Sequence, residues 1–138
     1  MTTILLVEED RDRRRRFADC LVKEGYEVSE ACSTQEASGA LFRVKPELII
    51  CGARLQDSGQ GLALYEIREV HGSIPLVLHV EGSLSENDIR YGLADTLVPQ
   101  SARPEPLLRA VAELLRAAAA GDEHPLDERS VSSMDCSA

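Results

Sequence analysis

Residues 3–10 read TILLVEED, a β-favouring run from Thr3 to Val7 that stops at three consecutive carboxylates, Glu8, Glu9 and Asp10. The run is too short for a helix and has no polar alternation after Thr3, so it predicts a strand buried on both faces. Asp12 to Glu24 follows with helical composition, and Gly25 is its stop. A buried strand leading directly into a covering helix points to a parallel sheet. In such sheets the carboxyl ends of the strands are where functional groups gather, and here that end carries the three acids.

The same alternation continues along the chain. Tyr26 to Ala31 alternates like a half-buried strand, and Ser33 with Glu36 forms a capping box ahead of Ala37, Ala40, Leu41 and Val44. Pro46 closes that helix, and Leu48 to Cys51 predicts a third strand. The glycine-rich stretch Gly52 to Gly61 leads into a third helix that runs to about Val70 and stops at Gly72. Pro75 to Val80 predicts a fourth strand, Ser85 with Asp88 opens a fourth helix to about Leu93, and Thr96 to Val98 predicts a short fifth strand. A last helix spans about Glu105 to Ala120. The pattern predicts a doubly wound α/β fold over residues 1–121, a five-stranded parallel sheet with helices on both faces. Residues 122–138 change to polar, aperiodic composition and are expected to form a flexible acidic C-terminal tail.

Composition narrows the function. With 138 residues, 43% of them apolar, the chain suits one domain with its own core. A net charge of −9 and the lack of a basic stripe with interleaved aromatics argue against nucleic acid as a partner. The apolar runs are too short to span a bilayer and the N-terminus has no secretion pattern, so a cytoplasmic location without membrane contact is expected. Cys20, Cys32, Cys51 and Cys136 show no metal-ligand spacing, and the first three read as small core residues.

The strand ends deliver Glu8, Glu9 and Asp10 from the first strand, Gly52 from the third, His79 from the fourth and Pro99 from the fifth. The segments ILLVEED, GYEV, PELII, IPLVLHV and GLADTLVP resemble, in order, the landmarks of the receiver domain of bacterial two-component response regulators, a flavodoxin-like fold, across roughly Thr3 to Ala120. In that family an acidic pair after the first strand holds Mg²⁺, an Asp ending the third strand is phosphorylated, a Thr or Ser ends the fourth, and a Lys ends the fifth. Carried onto this chain, the pair falls on Glu8 and Glu9, each a methylene longer than the usual Asp, and the phosphoacceptor falls on Gly52. The hydroxyl falls on His79 and the Lys on Pro99; Lys23 and Lys45 are the chain's two lysines, and neither is near the fifth strand. Gln100 and Ser101 replace the usual Pro and aromatic.

The resemblance therefore implies a degenerate receiver, or pseudo-receiver: no enzyme and no cofactor, with Mg²⁺ held weakly or not at all at Glu8, Glu9 and Asp10. It implies signal transduction by phosphorylation-independent binding to another signalling protein, or self-association, through the face of helix 4, strand 5 and helix 5. Arg90, Tyr91 and Arg109 are the exposed candidates on that face.

Two other readings stand beside it. One is a phosphoaccepting receiver with displaced residues, in which Asp57 takes the phosphoryl group; against it, the QDSG context reads Asp57 as a turn residue. The other is a small-ligand or redox sensor built from His79, Cys51 and the acidic cluster, where Cys51 also reads as packing and His79 as a core-edge residue. Arg54 either supplies the cation that the acidic cluster has lost or points to solvent. Arg11, Arg13, Arg14, Arg15 and Arg16 form either a contact for an acidic partner or a solvated helix face, with Phe17, Cys20 and Leu21 as anchors; by the receiver pattern Arg13 and Arg16 stand where apolar residues are usual. His71 and His124 read as surface residues.

Overall fold

The computed structural model describes residues 1–54, 59–82 and 87–121. Strands and helices alternate as β1 (Thr3–Val7), α1 (Arg11–Lys23), β2 (Glu27–Ala31), α2 (Thr34–Val44), β3 (Leu48–Arg54), α3 (Gln60–Val70), β4 (Leu76–Glu81), α4 (Ile89–Leu93), β5 (Thr96–Pro99) and α5 (Glu105–Gly121). The strands pair in parallel in the order β2-β1-β3-β4-β5. The chain winds one way from β1 to β2 and the other way from β3 onward, so a crevice opens at the carboxyl ends of β1 and β3.

The period of two along β1 splits its side chains between two cores. Leu5 and Val7 pack with Ala37, Leu41, Leu64 and Leu78 under α2 and α3. Ile4 and Leu6 pack with Phe17, Leu21, Val77 and Val111 under α1 and α5. Both faces of the central strands are thus covered, which is why TILLV carries no polar alternation.

The helix ends follow their local chemistry. Ser33 Oγ accepts from the Glu36 N–H at 3.0 Å, and Glu36 Oε1 accepts from the Cys32 N–H at 2.7 Å, a capping box whose return arm reaches one residue further back than usual. That backbone N–H, by favouring the charged form, lowers the Glu36 pKa. Lys45 caps α2 in the left-handed region at φ 51, just before the buried Pro46.

Several expectations are corrected. β3 does not stop at Cys51 but continues to Arg54, because Gly52, Ala53 and Arg54 pair in register with His79, Val80 and Glu81, and Ala53 is buried in the core. α4 starts after Asp88, whose Oδ1 accepts from the Arg90 N–H at 2.9 Å. Ser85 and Glu86, expected near that start, lie outside the described residues, as do Asp57, His124, Cys136 and the tail 122–138. Among the described cysteines only Cys51 is buried. Cys20 sits at the flank of α1, where Ala18 joins Phe17 and Leu21 as an anchor in its place. Cys32 lies in the exposed turn between β2 and α2. No described helix is long and apolar enough to cross a membrane.

Candidate functional site

At the carboxyl end of β1 the chain bends sharply. The Glu8 N–H still pairs with the Ala31 carbonyl at 2.9 Å, but its side chain turns inward and is 7% exposed. Glu8 Oε2 accepts from the Asp10 N–H at 3.0 Å and from Arg13 Nη1 at 3.4 Å. Glu8 Oε1 stands over Gly52, so close that a Cβ on residue 52 would lie 2.4 Å from it. The carboxylate of β1 therefore fills the space in which a side chain at the end of β3 would sit.

Two guanidiniums offset most of the negative charge at this end of the sheet. Arg13 reaches from α1 to Glu8 and stands 3.8 Å from Glu81 Oε1. Arg54, at the end of β3, pairs with Glu9 and stands 4.0 Å from Glu81. Carboxylates and guanidiniums thus alternate as Glu8, Arg13, Glu81, Arg54, Glu9. The Arg13–Glu8 pair is the inner one; Arg54 and Glu9 are about half exposed or more, and such pairs contribute ~0–1 kcal/mol. Glu81 and Arg13 had no assigned part in the expected cluster, although an Arg where α1 should be apolar was the available signal. Arg16, at the other such position, is exposed and lays its guanidinium 4.9 Å from the centre of the Phe17 ring. Arg14 and Arg15 both pair with Glu30 at 3.2 Å, so much of the basic run is satisfied within the chain.

Asp10 does not join the cluster. It is exposed and caps α1, accepting from the Arg13 N–H at 2.8 Å, and that bond lowers its pKa. The remaining acids do not suit Mg²⁺, a hard cation that needs open carboxylate oxygens in octahedral array. Guanidiniums already stand on Glu8 and Glu9, and Gly52 offers no carboxylate.

His79 lies beside Gly52 in the sheet register, and Val80 lies beside Pro99. The His79 ring packs edge-on against Phe17 at 4.7 Å between centroids, on the α1 side of the sheet, and the residue is 3% exposed. Burial, reinforced by the nearby charges of Arg13 and Arg16, pushes its pKa down to about 4. Pro99 is the exposed end of β5. The crevice at the strand ends holds about 270 Å³ and is lined by Glu8, Glu9, Arg13, Gly52, Arg54 and Gln60 among others. Neither His79 nor Cys51 lines it, so the structure does not bring those two together with the acids in one pocket.

A second polar group borders the crevice. Gln60, 6% exposed at the start of α3, donates from Nε2 to the Gly52 carbonyl at 2.7 Å and accepts from Arg90 Nη1 at 2.8 Å. Arg90 Nη1 also donates to the Arg54 carbonyl at 2.8 Å, while Nε and Nη2 grip Asp88 at 3.0 and 2.8 Å. Those bonds hold the Asp88 carboxyl below its usual range. Arg90 was expected as an exposed contact residue. It is instead 2% exposed, because its guanidinium folds back onto the cap of its own helix and under α3. Tyr91 and Arg109 are exposed. His71, expected at the surface, is half-buried against the exposed Phe42 ring.

Comparison with known proteins agrees with this architecture. No family model matches the sequence. The phosphate regulon transcriptional regulatory protein PhoB of Pseudomonas aeruginosa is 32% identical over 131 residues, covering 91% of this chain, which spans 57% of that protein's length. The response regulator TrrA of Thermotoga maritima, solved with Mg²⁺ and BeF, is 25% identical with a TM-score of 0.75 over 83% of this chain and 99% of its own. A CheY-like response regulator receiver domain protein from Methanospirillum hungatei gives a TM-score of 0.79 at 20% identity, over 88% of this chain and 98% of its own. With its five parallel strands in the order 2-1-3-4-5 and its crevice between β1 and β3, the chain has the CheY-like receiver fold of response regulators.

Proposed function

We propose that this chain is a degenerate receiver that takes part in two-component signal transduction by binding another signalling protein, without accepting a phosphoryl group. The observation that carries the reading is the Glu8 carboxylate lying where the side chain of residue 52 would be, 2.4 Å from a Cβ built there. Aspartyl phosphorylation needs a carboxylate free for in-line attack, a metal, and cations that take up the charge of the transferred group. Here the acceptor position is a glycine, the carboxylates are matched internally by Arg13 and Arg54, and the fifth strand ends in Pro99.

The binding face we assign is α4, β5 and α5, with Tyr91 and Arg109 among its exposed side chains. The partner is a protein, since a charge of −9 disfavours nucleic acid. Incubation with a small phosphodonor and Mg²⁺, followed by intact mass, is the test. No added mass is expected, while a stable adduct would overturn the reading and would favour Asp57 as a displaced acceptor.

A further inference from the structure

The hydrogen-bonded chain that starts at Gly52 does not end at the crevice. It runs from the Gly52 carbonyl through Gln60 to the Arg90 guanidinium and from there to Asp88, the cap of α4. We propose that Gln60 and Arg90 are positioning residues forming a strut between the end of β3 and α4, so that the charge cluster around Arg54 sets the arrangement of α4 with no phosphoryl group involved. This rests on the assignment of α4 to the binding face, but the strut acts within the chain and is measurable without a partner.

Three observations carry it. The Arg90 guanidinium makes four hydrogen bonds to Asp88, Gln60 and the Arg54 carbonyl while its side chain is 3% exposed. A planar guanidinium with bidentate and backbone partners holds those groups in one geometry. At its β3 end the strut rests on two main-chain carbonyls, those of Gly52 and Arg54, so it is fastened to the sheet itself. Above it α3 and α4 touch closely: a Cβ on Gly61 would stand 2.4 Å from Ile89 Cγ2, and only a glycine leaves α4 that near. Arg54 is the joint. Its side chain belongs to the Glu9 and Glu81 cluster and its carbonyl belongs to the strut, which gives a contiguous physical route from the charges to α4.

The test is amide hydrogen exchange of the full chain, read at residues 89–93 against α1 and β1 as internal references. Gln60→Leu, which keeps volume but cuts the middle of the strut, should raise exchange at α4 by about tenfold, the factor matching one lost hydrogen bond to a charged group, and leave the references unchanged. Arg54→Gln should raise α4 exchange in the otherwise native chain and add nothing in an Arg90→Met background, because the Arg54 carbonyl reaches α4 through Arg90. Additive effects would mean that the two residues only support the fold separately, and would overturn the proposal. Should Gln60→Leu not fold, Asp88→Asn keeps the cap and removes the charge pair. Arg54→Gln alone also decides, because unchanged α4 exchange in that variant sinks the strut. A chain that shows the expected exchange pattern yet binds no partner through Tyr91 and Arg109 would refute the binding-face reading and leave the strut standing.

Discussion

Glu8 Oε1 and the α-carbon of Gly52 occupy neighbouring strand ends so tightly that residue 52 has no room for a Cβ beside the carboxylate. Glu8 cannot simply swing away, because its other oxygen is held by the Asp10 N–H and by Arg13. Gly52→Asp should therefore lower stability at neutral pH by about 1–3 kcal/mol, through overpacking together with like-charge repulsion. Combining it with Glu8→Ala should recover much of that loss, since the second carboxylate then enters vacated space. Urea denaturation of both single variants and the double variant measures the coupling; strict additivity would contradict the steric account.

His79 should make the fold sensitive to mild acid. Its pKa is pushed down to about 4 in the folded chain by burial against Phe17 and by Arg13 and Arg16, whereas the ordinary value is 6.5. Between these values the unfolded chain binds the proton and the folded chain does not, so stability falls as pH drops from 6.5 toward 4 and levels off below. The contribution is on the order of 3 kcal/mol across that window. His79→Leu should flatten this part of the profile, as judged by denaturation midpoints at pH 7, 5.5 and 4.5. Equal slopes for the two chains would show that the imidazole is not held neutral.

The fold was legible from TILLV, from the Ser33 and Glu36 capping box, and from apolar runs too short to be helices, because burial on both faces and helix capping are local chemistry. That β5 ends without a lysine was legible too, since no register error puts one there when the chain holds only Lys23 and Lys45. The length of β3 was not, because Gly52 looks like a breaker until its pairing with His79 is seen. Arg90 was missed for a related reason. In a five-residue helix the period cannot assign faces, and a long cationic side chain reads as solvated unless the Asp88 two residues earlier is recognised as its clasp. Arg13 was the converse case: its odd position on the inner side of α1 was visible, but its destination, Glu8, depended on how sharply the chain bends after β1.

Mg²⁺ should bind weakly or not at all at this end of the sheet. The ion would have to displace Arg13 from Glu8 and Arg54 from Glu9, and would then meet longer side chains than the usual pair with no acceptor carboxylate opposite. Titration followed by amide shifts of Glu8, Glu9 and Gly52 should show no saturation at low millimolar metal. Arg13→Ala should strengthen whatever weak response exists, because it frees the inner carboxylate; a saturable response in the unaltered chain would show that the guanidiniums yield readily.

On the proposed reading, placing the phosphorylation residues of receivers at positions 52, 79 and 99 one by one separates a site silenced at one residue from a site rebuilt at several. Gly52→Asp alone is expected to take no label from a small phosphodonor, because its carboxylate would stand against Glu8 and Glu9 with Arg13 and Arg54 already committed to those acids. The group that should orient the phosphoryl oxygens from β4 is the imidazole of His79, which faces Phe17 instead of the crevice. The group from β5 is Pro99, whose ring has no donor and fixes the backbone there. Adding His79→Thr and Pro99→Lys supplies a hydroxyl and an ammonium at positions in register with β3, since β4 pairs His79 with Gly52 and Val80 with Pro99. The triple variant should therefore label where the single does not, and further replacement of Glu8 and Glu9 by Asp should raise the yield by withdrawing Glu8 from the space at residue 52. Intact mass after incubation with phosphodonor and Mg²⁺ reads each step. Labelling of Gly52→Asp alone would mean that His79, Pro99 and the internal guanidiniums are no obstacle, and that the glycine by itself silences the site.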